Sequence, residues 1–271
     1  MRLSRNLQVR AAENRYAELF GRYVMATDAK RVIGDALAGL LSGCKRPVRV
    51  LDMGAGRGEI SAILAETADV VDAVEPNRRH YESLVSLALS NPRIRVSEGS
   101  VQEFRSDTRY DLIALVYVVE SIVDSDLASH VARLLDMRKP DGRVVGVTYV
   151  DGCPWDAFSS AVESIIPFGS TGGVSRVFPR LRAGGLNVRN IGVVSSSISA
   201  PSVEELFEVL SFFYMKELHA YERSRRILMR ELGHYVEGDG DGVRLTVDDV
   251  LYEITPMTFR FQNGSGLGDQ T

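Results

Sequence analysis

The segment Val50-Leu51-Asp52-Met53-Gly54-Ala55-Gly56-Arg57-Gly58-Glu59-Ile60 constrains this chain more than any other. Its glycines stand at alternate positions, directly after a short apolar run and directly before a helical pattern. Glycine reaches backbone conformations closed to other residues and lets the main chain pass close to a ligand, so the segment predicts a tight strand-to-helix turn. A turn alone would satisfy the glycines. Two acids add to them: Asp52 falls just before the first glycine, and Glu75 ends the next strand in Ala73-Val74-Glu75-Pro76. An acid at that second strand tip is placed to accept hydrogen bonds from ribose hydroxyls. The dinucleotide fingerprint G-x-G-x-x-G needs a glycine at position 59, where this chain has Glu59.

The surrounding pattern is one of alternation. Val48–Met53, Val70–Val74, Ile94–Ser97, Asp111–Val118 and Arg143–Tyr149 read as strands. Glu59–Glu66, Asn77–Leu89 and Ser125–Met137 read as the helices between them, with Pro140-Asp141-Gly142 as a turn. Such alternation predicts βαβ units with right-handed crossovers, hence an α/β fold with helices on both faces of a mostly parallel sheet. Ahead of it, Tyr16, Leu19, Phe20, Tyr23 and Val24 follow one helical face, and Thr27-Asp28 is placed to end that helix and cap a second over Ala29–Leu41. Beyond residue 150, Trp155–Ile166 and Ser175–Arg182 read as helices, Asn187–Ser195 as a strand, and Pro201–Val236 as one long helical stretch. Gly238–Gly242 is a tight turn, and Val250–Thr255 and Met257–Phe261 are closing strands, with Pro256 a bulge or kink. The expected division is residues 1–47 as an N-terminal helical lid and 48–150 as the core. Residues 151–261 complete the sheet and carry helical insertions, and 262–271 form a disordered tail.

Composition narrows the function. At 271 residues, 45% hydrophobic and 25% charged, the chain has ordinary globular make-up. Its net charge of −4 lacks the basic excess of a nucleic-acid binder. Cys44 and Cys153 are too few for a disulfide framework or a four-cysteine zinc site, which points to a reducing cytoplasm. The longest apolar run, Leu112–Val119, falls far short of a bilayer span of about 20 residues.

With Asp52 ahead of it, G-x-G-x-G is the nucleoside-binding signature of class I S-adenosylmethionine-dependent methyltransferases, and residues 48 to 150 closely resemble that family. The resemblance implies a Rossmann-like seven-stranded sheet and S-adenosyl-L-methionine as cofactor. It implies that Asp52, Gly54 and Gly56 face the methionine portion and that Glu75 grips the ribose. Ser100-Val101 would lie beside adenine, although many relatives have Asp where Ser100 stands. Leu115, with Val116 and Tyr117, would end the fourth strand near cofactor and substrate.

The acceptor is read partly by exclusion. Methylation of nucleic-acid amino groups uses a D/N-P-P-aromatic loop after the fourth strand, and Leu115–Glu120 contains no proline. No Asp and Asn cluster suggests a metal-dependent catechol site. His80, His130, His219 and His234 all fall on helices, away from strand tips, and read as surface or packing residues. Tyr16-Ala17-Glu18-Leu19-Phe20-Gly21-Arg22-Tyr23 resembles the lid of the histamine N-methyltransferase family, as do Val74-Glu75-Pro76 and Gly152-Cys153-Pro154-Trp155-Asp156. That resemblance implies that Glu18 binds a substrate amine and that Tyr16, Phe20, Tyr23 and Trp155 wall the substrate; Glu120 and Tyr117 join Glu18 as catalytic candidates from their place at the tip of the fourth strand. The chain departs from that family at Tyr117, Glu120, Ser121 and Thr255-Pro256, so the imidazole-reading positions are not carried over and a different small amine is expected. Two alternatives stay open: methylation of a carboxylate or phenol oxygen, and a non-catalytic cofactor-binding partner subunit.

Overall fold

A computed structural model describes residue 15 and residues 18–166 and 172–257. Tyr16, Thr258–Phe261 and the expected tail 262–271 lie outside the described residues. In chain order the elements are α1 (18–26), α2 (Ala29–Gly39), β1 (Arg49–Met53), α3 (Glu59–Thr67), β2 (Val70–Glu75), α4 (Arg78–Ser90), β3 (Ile94–Glu98) and β4 (Tyr110–Val116). They continue with α5 (Asp124–Asp136), β5 (Arg138–Tyr149), α6 (Pro154–Ile165), α7 (Val174–Ala183), β6 (Leu186–Ala200), α8 (Val203–Leu210), α9 (Leu218–Arg223), α10 (Arg225–Leu232), β7 (Val236–Asp239) and β8 (Gly242–Pro256).

The strands form one sheet in the order β3-β2-β1-β4-β5-β8-β6. The strands β1 to β5 run parallel, and β8 lies antiparallel between β5 and β6. This is the expected Rossmann-like seven-strand path; an eighth short strand, β7, pairs with the start of β8. The central strands are buried on both sides and alternate between two cores. Leu51, Met53, Ile113 and Leu115 point into the face covered by α5 and α7. Val50, Leu112, Ala114 and Val147 point into the face covered by α2 and α3. A third core, around Phe158, Phe207, Tyr221 and Leu245, joins α6, α8 and α10 to the far ends of β6 and β8.

Several expectations are corrected. The stretch 201–236 is not one helix: it is α8, a 3-10 segment Ser211–Glu217 with non-helical Tyr214 inside it, α9 and α10. The bends bring Phe207 and Tyr214 to stack against Tyr221. Asp28 precedes α2 without capping it. Its carboxylate accepts instead from Ser197 N at 2.8 Å, and Thr27 bridges Ile198, which ties the N-terminal helices to β6. Residues 140–142 are an irregularity within β5 rather than a turn before it, since Tyr110 pairs with Arg138 and Leu112 with Arg143. Strands β6 and β8 each run 15 residues, far beyond their sequence signal, because both continue past the sheet to carry the third core.

Candidate active site

The glycine turn joins β1 to α3 at the carboxyl edge of the sheet. Gly54 N and Ala55 N both donate to Val74 O, which fixes the turn against the tip of β2. The buried Glu75 then gathers the backbone around itself: Oε2 accepts from Gly56 N and Oε1 from Asn77 N, each at 2.8 Å. Asn77 caps α4 by accepting from Arg79 N and His80 N. Gly56 has a φ of +60°, and a Cβ built there would meet nothing within 4 Å, so it would project into open space. Gly58 differs, for a Cβ there would stand 2.5 Å from Leu84 and 2.6 Å from Leu87. Asp52 sits behind the turn, buried, accepting from Ser61 Oγ at 2.5 Å, and burial lifts its carboxyl to about 6.

A cavity of about 210 Å3 opens beside this turn, lined by Gly54, Glu75, Ser100, Val101 and Tyr117 among others. The expected cofactor residues Gly54, Glu75, Ser100 and Val101 are therefore brought together, with Gly56 bound to Glu75. Asp52, buried behind the turn, and Leu115 do not line it. Leu115 is fully buried in the core under α5, and Val116 on the opposite face of β4 takes its place at the cavity. Period-two alternation decides which of the two faces a ligand.

A second cavity, of about 280 Å3, adjoins the first through Tyr117, which lines both. Its walls are aromatic. Tyr23 stacks on Phe212 with centroids 5.4 Å apart, Phe213 meets Tyr23 at 4.9 Å and Trp155 at 4.5 Å, and Tyr149 and Tyr214 complete the lining. Phe20 closes one side, 5.2 Å from Phe212 and 5.1 Å from His80. Phe20, Tyr23, Tyr117, Glu120 and Trp155 are thus assembled as the sequence suggested. Glu18 departs from its expected place: its side chain is 57% exposed, pairs with Arg15 at 3.0 Å, and lines neither cavity. The helical spacing explains this, because Glu18 lies on a different face of α1 from Phe20 and Tyr23.

Polar groups are sparse and strongly perturbed. Glu120 follows the β4 tip in a 3-10 turn, and both of its carboxylate oxygens are buried without a hydrogen-bond partner. Burial drives its carboxyl up to about 7, and the neighbouring Thr148 hydroxyl, its own backbone N–H and the charge of Arg180 only partly offset this. Asp249 on β8 is fully buried, accepts from Tyr117 Oη at 2.7 Å, and is likewise raised to about 7 by burial. Lys30 of α2 reaches the same cavity, its Nζ 5.8 Å from the Tyr117 ring centroid.

Sequence reasoning missed Asp249, Lys30, Phe212 and Phe213. The available signal for Asp249 was its place in the inward series Leu245, Val247 and Leu251 of β8, whose other members are apolar. His80 was expected away from the strand tips; it lies 3.9 Å from Glu75, with its pKa lowered chiefly by burial. Among the described residues no cluster of His, Cys, Asp and Glu could hold a metal ion, and no helix is long and apolar enough to cross a membrane.

A family model described as a methyltransferase domain matches residues 25–208. No curated protein matches the chain by sequence. Among solved structures, the YcgJ protein of Bacillus subtilis superposes with a TM-score of 0.56 at 18% identity, over 81% of this chain and 97% of its own. Coclaurine N-methyltransferase, bound to N-methylheliamine and S-adenosylhomocysteine, gives 0.51 at 15% identity, over 83% of this chain and 72% of that one. An S-adenosylmethionine-dependent methyltransferase from Leishmania major gives 0.51 at 13% identity, over 89% and 83%. At these identities the likeness is one of fold.

Proposed function

The chain belongs to the methyltransferase-domain family, and we propose that it transfers a methyl group to the nitrogen of a small organic amine held in the aromatic cavity. It is an S-adenosylmethionine-dependent methyltransferase. The residues at the first cavity fit that cofactor. The open space in front of Gly56 is a cradle that a side chain would fill. Glu75 keeps unused lone pairs on both oxygens after accepting one N–H on each, so it has capacity left for two ribose hydroxyls. Ser100 and Val101 stand on the same cavity for the base. When bound, the cofactor supplies an electrophilic methyl carbon on a positively charged sulfur.

The chain's own residues then have three tasks. Phe20, Tyr23, Phe212 and Phe213 exclude water and fix the acceptor's orientation, which supplies much of the rate in a displacement between two bound groups. The aromatic faces attract a cationic amine by roughly 0.5–2 kcal/mol. Glu120 provides the opposite charge.

The observation that carries the nitrogen reading is Glu120. A buried carboxyl with two unpartnered oxygens is costly, and a substrate ammonium offsets that cost by favouring the ionised form. A carboxylate acceptor would meet repulsion there instead. Calorimetry on protein loaded with S-adenosylhomocysteine tests this with phenethylamine and phenylpropionate as probes. The amine should bind the tighter of the two, and Glu120→Gln should weaken it tenfold or more, about 1.4 kcal/mol. Tighter binding of the acid, or an indifferent Glu120→Gln, would argue for oxygen.

A further inference from the structure

Tyr117 and Asp249 form a polar pair that neither the glycine turn nor the aromatic wall accounts for. Tyr117 has a φ of +55° and is, among the described residues, the one non-glycine in the left-handed region. An aromatic side chain is strained there, and such strain persists only where the surroundings over-determine it. Here Tyr117 N donates to Val147 O at 3.0 Å, and the phenol is thereby aimed across the sheet at Asp249. Asp249 Oδ1 accepts that hydroxyl, while Oδ2 is buried without a partner. A mere staple between β4 and β8 would work as well with a neutral amide and would avoid burying an ionisable group. The pair also stands at a particular point, because Tyr117 lines both cavities.

We propose that Tyr117 and Asp249 are a proton relay at the junction of the two cavities, Asp249 being a positioning residue that receives the acceptor's proton through the Tyr117 hydroxyl. The inference rests on the aromatic cavity being the acceptor site, and not on which element accepts. For an ammonium, the N–H proton passes to the Tyr117 oxygen as the phenol's own proton passes to Asp249 Oδ1. The acceptor becomes a neutral amine with a free lone pair, the carboxylate becomes a carboxyl, and the phenol ends unchanged. Tyr117 never needs to be a phenolate, which suits a hydroxyl that burial and Asp249 hold far above its ordinary pKa. Asp249 returns its proton to water when the product leaves.

The groups facing Asp249 set its affinity for that proton. Burial and the charges of Asp248 and Glu120 raise it, whereas the Tyr117 hydrogen bond and Lys30 of α2 lower it; the Tyr23 hydroxyl of α1 faces the same carboxyl. The outcome, about 7, leaves the group able to take a proton and give it back near neutral pH.

Carbon-13 NMR of the full chain, labelled at the aspartate side-chain carboxyl and saturated with S-adenosylhomocysteine, tests the relay without any acceptor. The Asp249 signal is the one missing from Asp249→Asn. Should that variant fail to fold, the signal is the one missing from Asp249→Glu, which carries no aspartate label at that position. The relay predicts a titration midpoint near 7 and an upward move of about half a pH unit or more in Tyr117→Phe, since the lost hydrogen bond favoured the ionised form. A midpoint near 4, or one that ignores Tyr117→Phe, overturns the relay. Either result is independent of whether phenethylamine binds, so the two readings fail separately.

Discussion

The Phe20 ring of α1 lies over the Arg57 guanidinium of the glycine turn, 5.7 Å from its centroid to the guanidinium carbon. The same ring touches His80 at the start of α4 and Phe212 in the 3-10 segment after α8. One side chain therefore joins the glycine turn and the start of α4 to the wall of the aromatic cavity. Helix α1 is latched from behind as well, by the Thr27 bridge to Ile198 and the Asp28 bond to Ser197 N. The N-terminal helices are thereby held against the glycine turn and β6, the position proposed for a roof over both cavities.

Truncating that roof should affect the acceptor more than the cofactor. Phe20→Ala is expected to raise the Michaelis constant for the acceptor by about fivefold or more while S-adenosylhomocysteine affinity changes less than that, because water exclusion and orientation belong to the ternary complex. Steady-state kinetics beside calorimetry decides it. Equal losses in both would mean that Phe20 serves the cofactor cavity first.

The glycines of the turn should separate by function. Gly56→Val fills open space, so it should abolish S-adenosylhomocysteine binding with only a modest loss of stability, about 1–2 kcal/mol for its left-handed backbone. Gly58→Val collides with Leu84 and Leu87, so it should lower the melting temperature much further. Thermal melts and calorimetry on the two variants check the contrast, and a reversed order would contradict the placement of the ligand.

Glu75 offers a graded test. Glu75→Ala removes an acceptor from Gly56 N, from Asn77 N and from the ribose. Affinity for S-adenosylhomocysteine should fall by about 1.5–3 kcal/mol, the scale of hydrogen bonds to a charged group. Unchanged affinity would move the nucleoside away from the tip of β2.

The sequence made the cofactor half readable and left the acceptor half partly hidden. Asp52, the glycines and Glu75 lie within one βαβ unit, so their chemistry is fixed by local spacing, and the sheet order follows from the alternation of strands and helices. The second cavity is built from α1, α6, the Ser211–Glu217 segment and β8, which are far apart in the chain, and no local pattern announces their convergence. Phe212 and Phe213 fall within a stretch that reads as one long helix because the break at Tyr214 has no glycine or proline to mark it. Glu18 showed the opposite failure: a short match to a lid motif pointed to a side chain that α1 turns toward solvent. Leu115 was one residue from the cavity-facing position, an error that a two-residue period converts into the wrong face of the sheet.

Three buried acids should make stability depend on pH in an unusual direction. Asp52, Glu120 and Asp249 are raised to about 6, 7 and 7, above their ordinary values of 3.8, 4.5 and 3.8. Between those limits the folded chain binds more protons than the unfolded one, so stability falls as pH rises from about 4 to 7 and then levels. The free protein should melt several degrees lower at about pH 8 than at about pH 5. The double variant Glu120→Gln, Asp249→Asn should show a flatter profile. Calorimetric melts across this range check both, and a melting temperature that climbs steadily to pH 8 would contradict the burial of these carboxyls.

In the proposed reaction the aromatic cavity with Glu120 presents a nitrogen to the cofactor's methyl. The most direct measurement is methyl transfer from carbon-14-labelled S-adenosylmethionine to a panel of amines, phenols and carboxylic acids, with the labelled products identified by mass spectrometry. Label is expected on amine nitrogen, for hydrophobic amines above all, with Glu120→Gln reducing it. Label confined to phenols or carboxylates, or a Glu120→Gln variant faster than the wild type, would contradict it and make oxygen the acceptor.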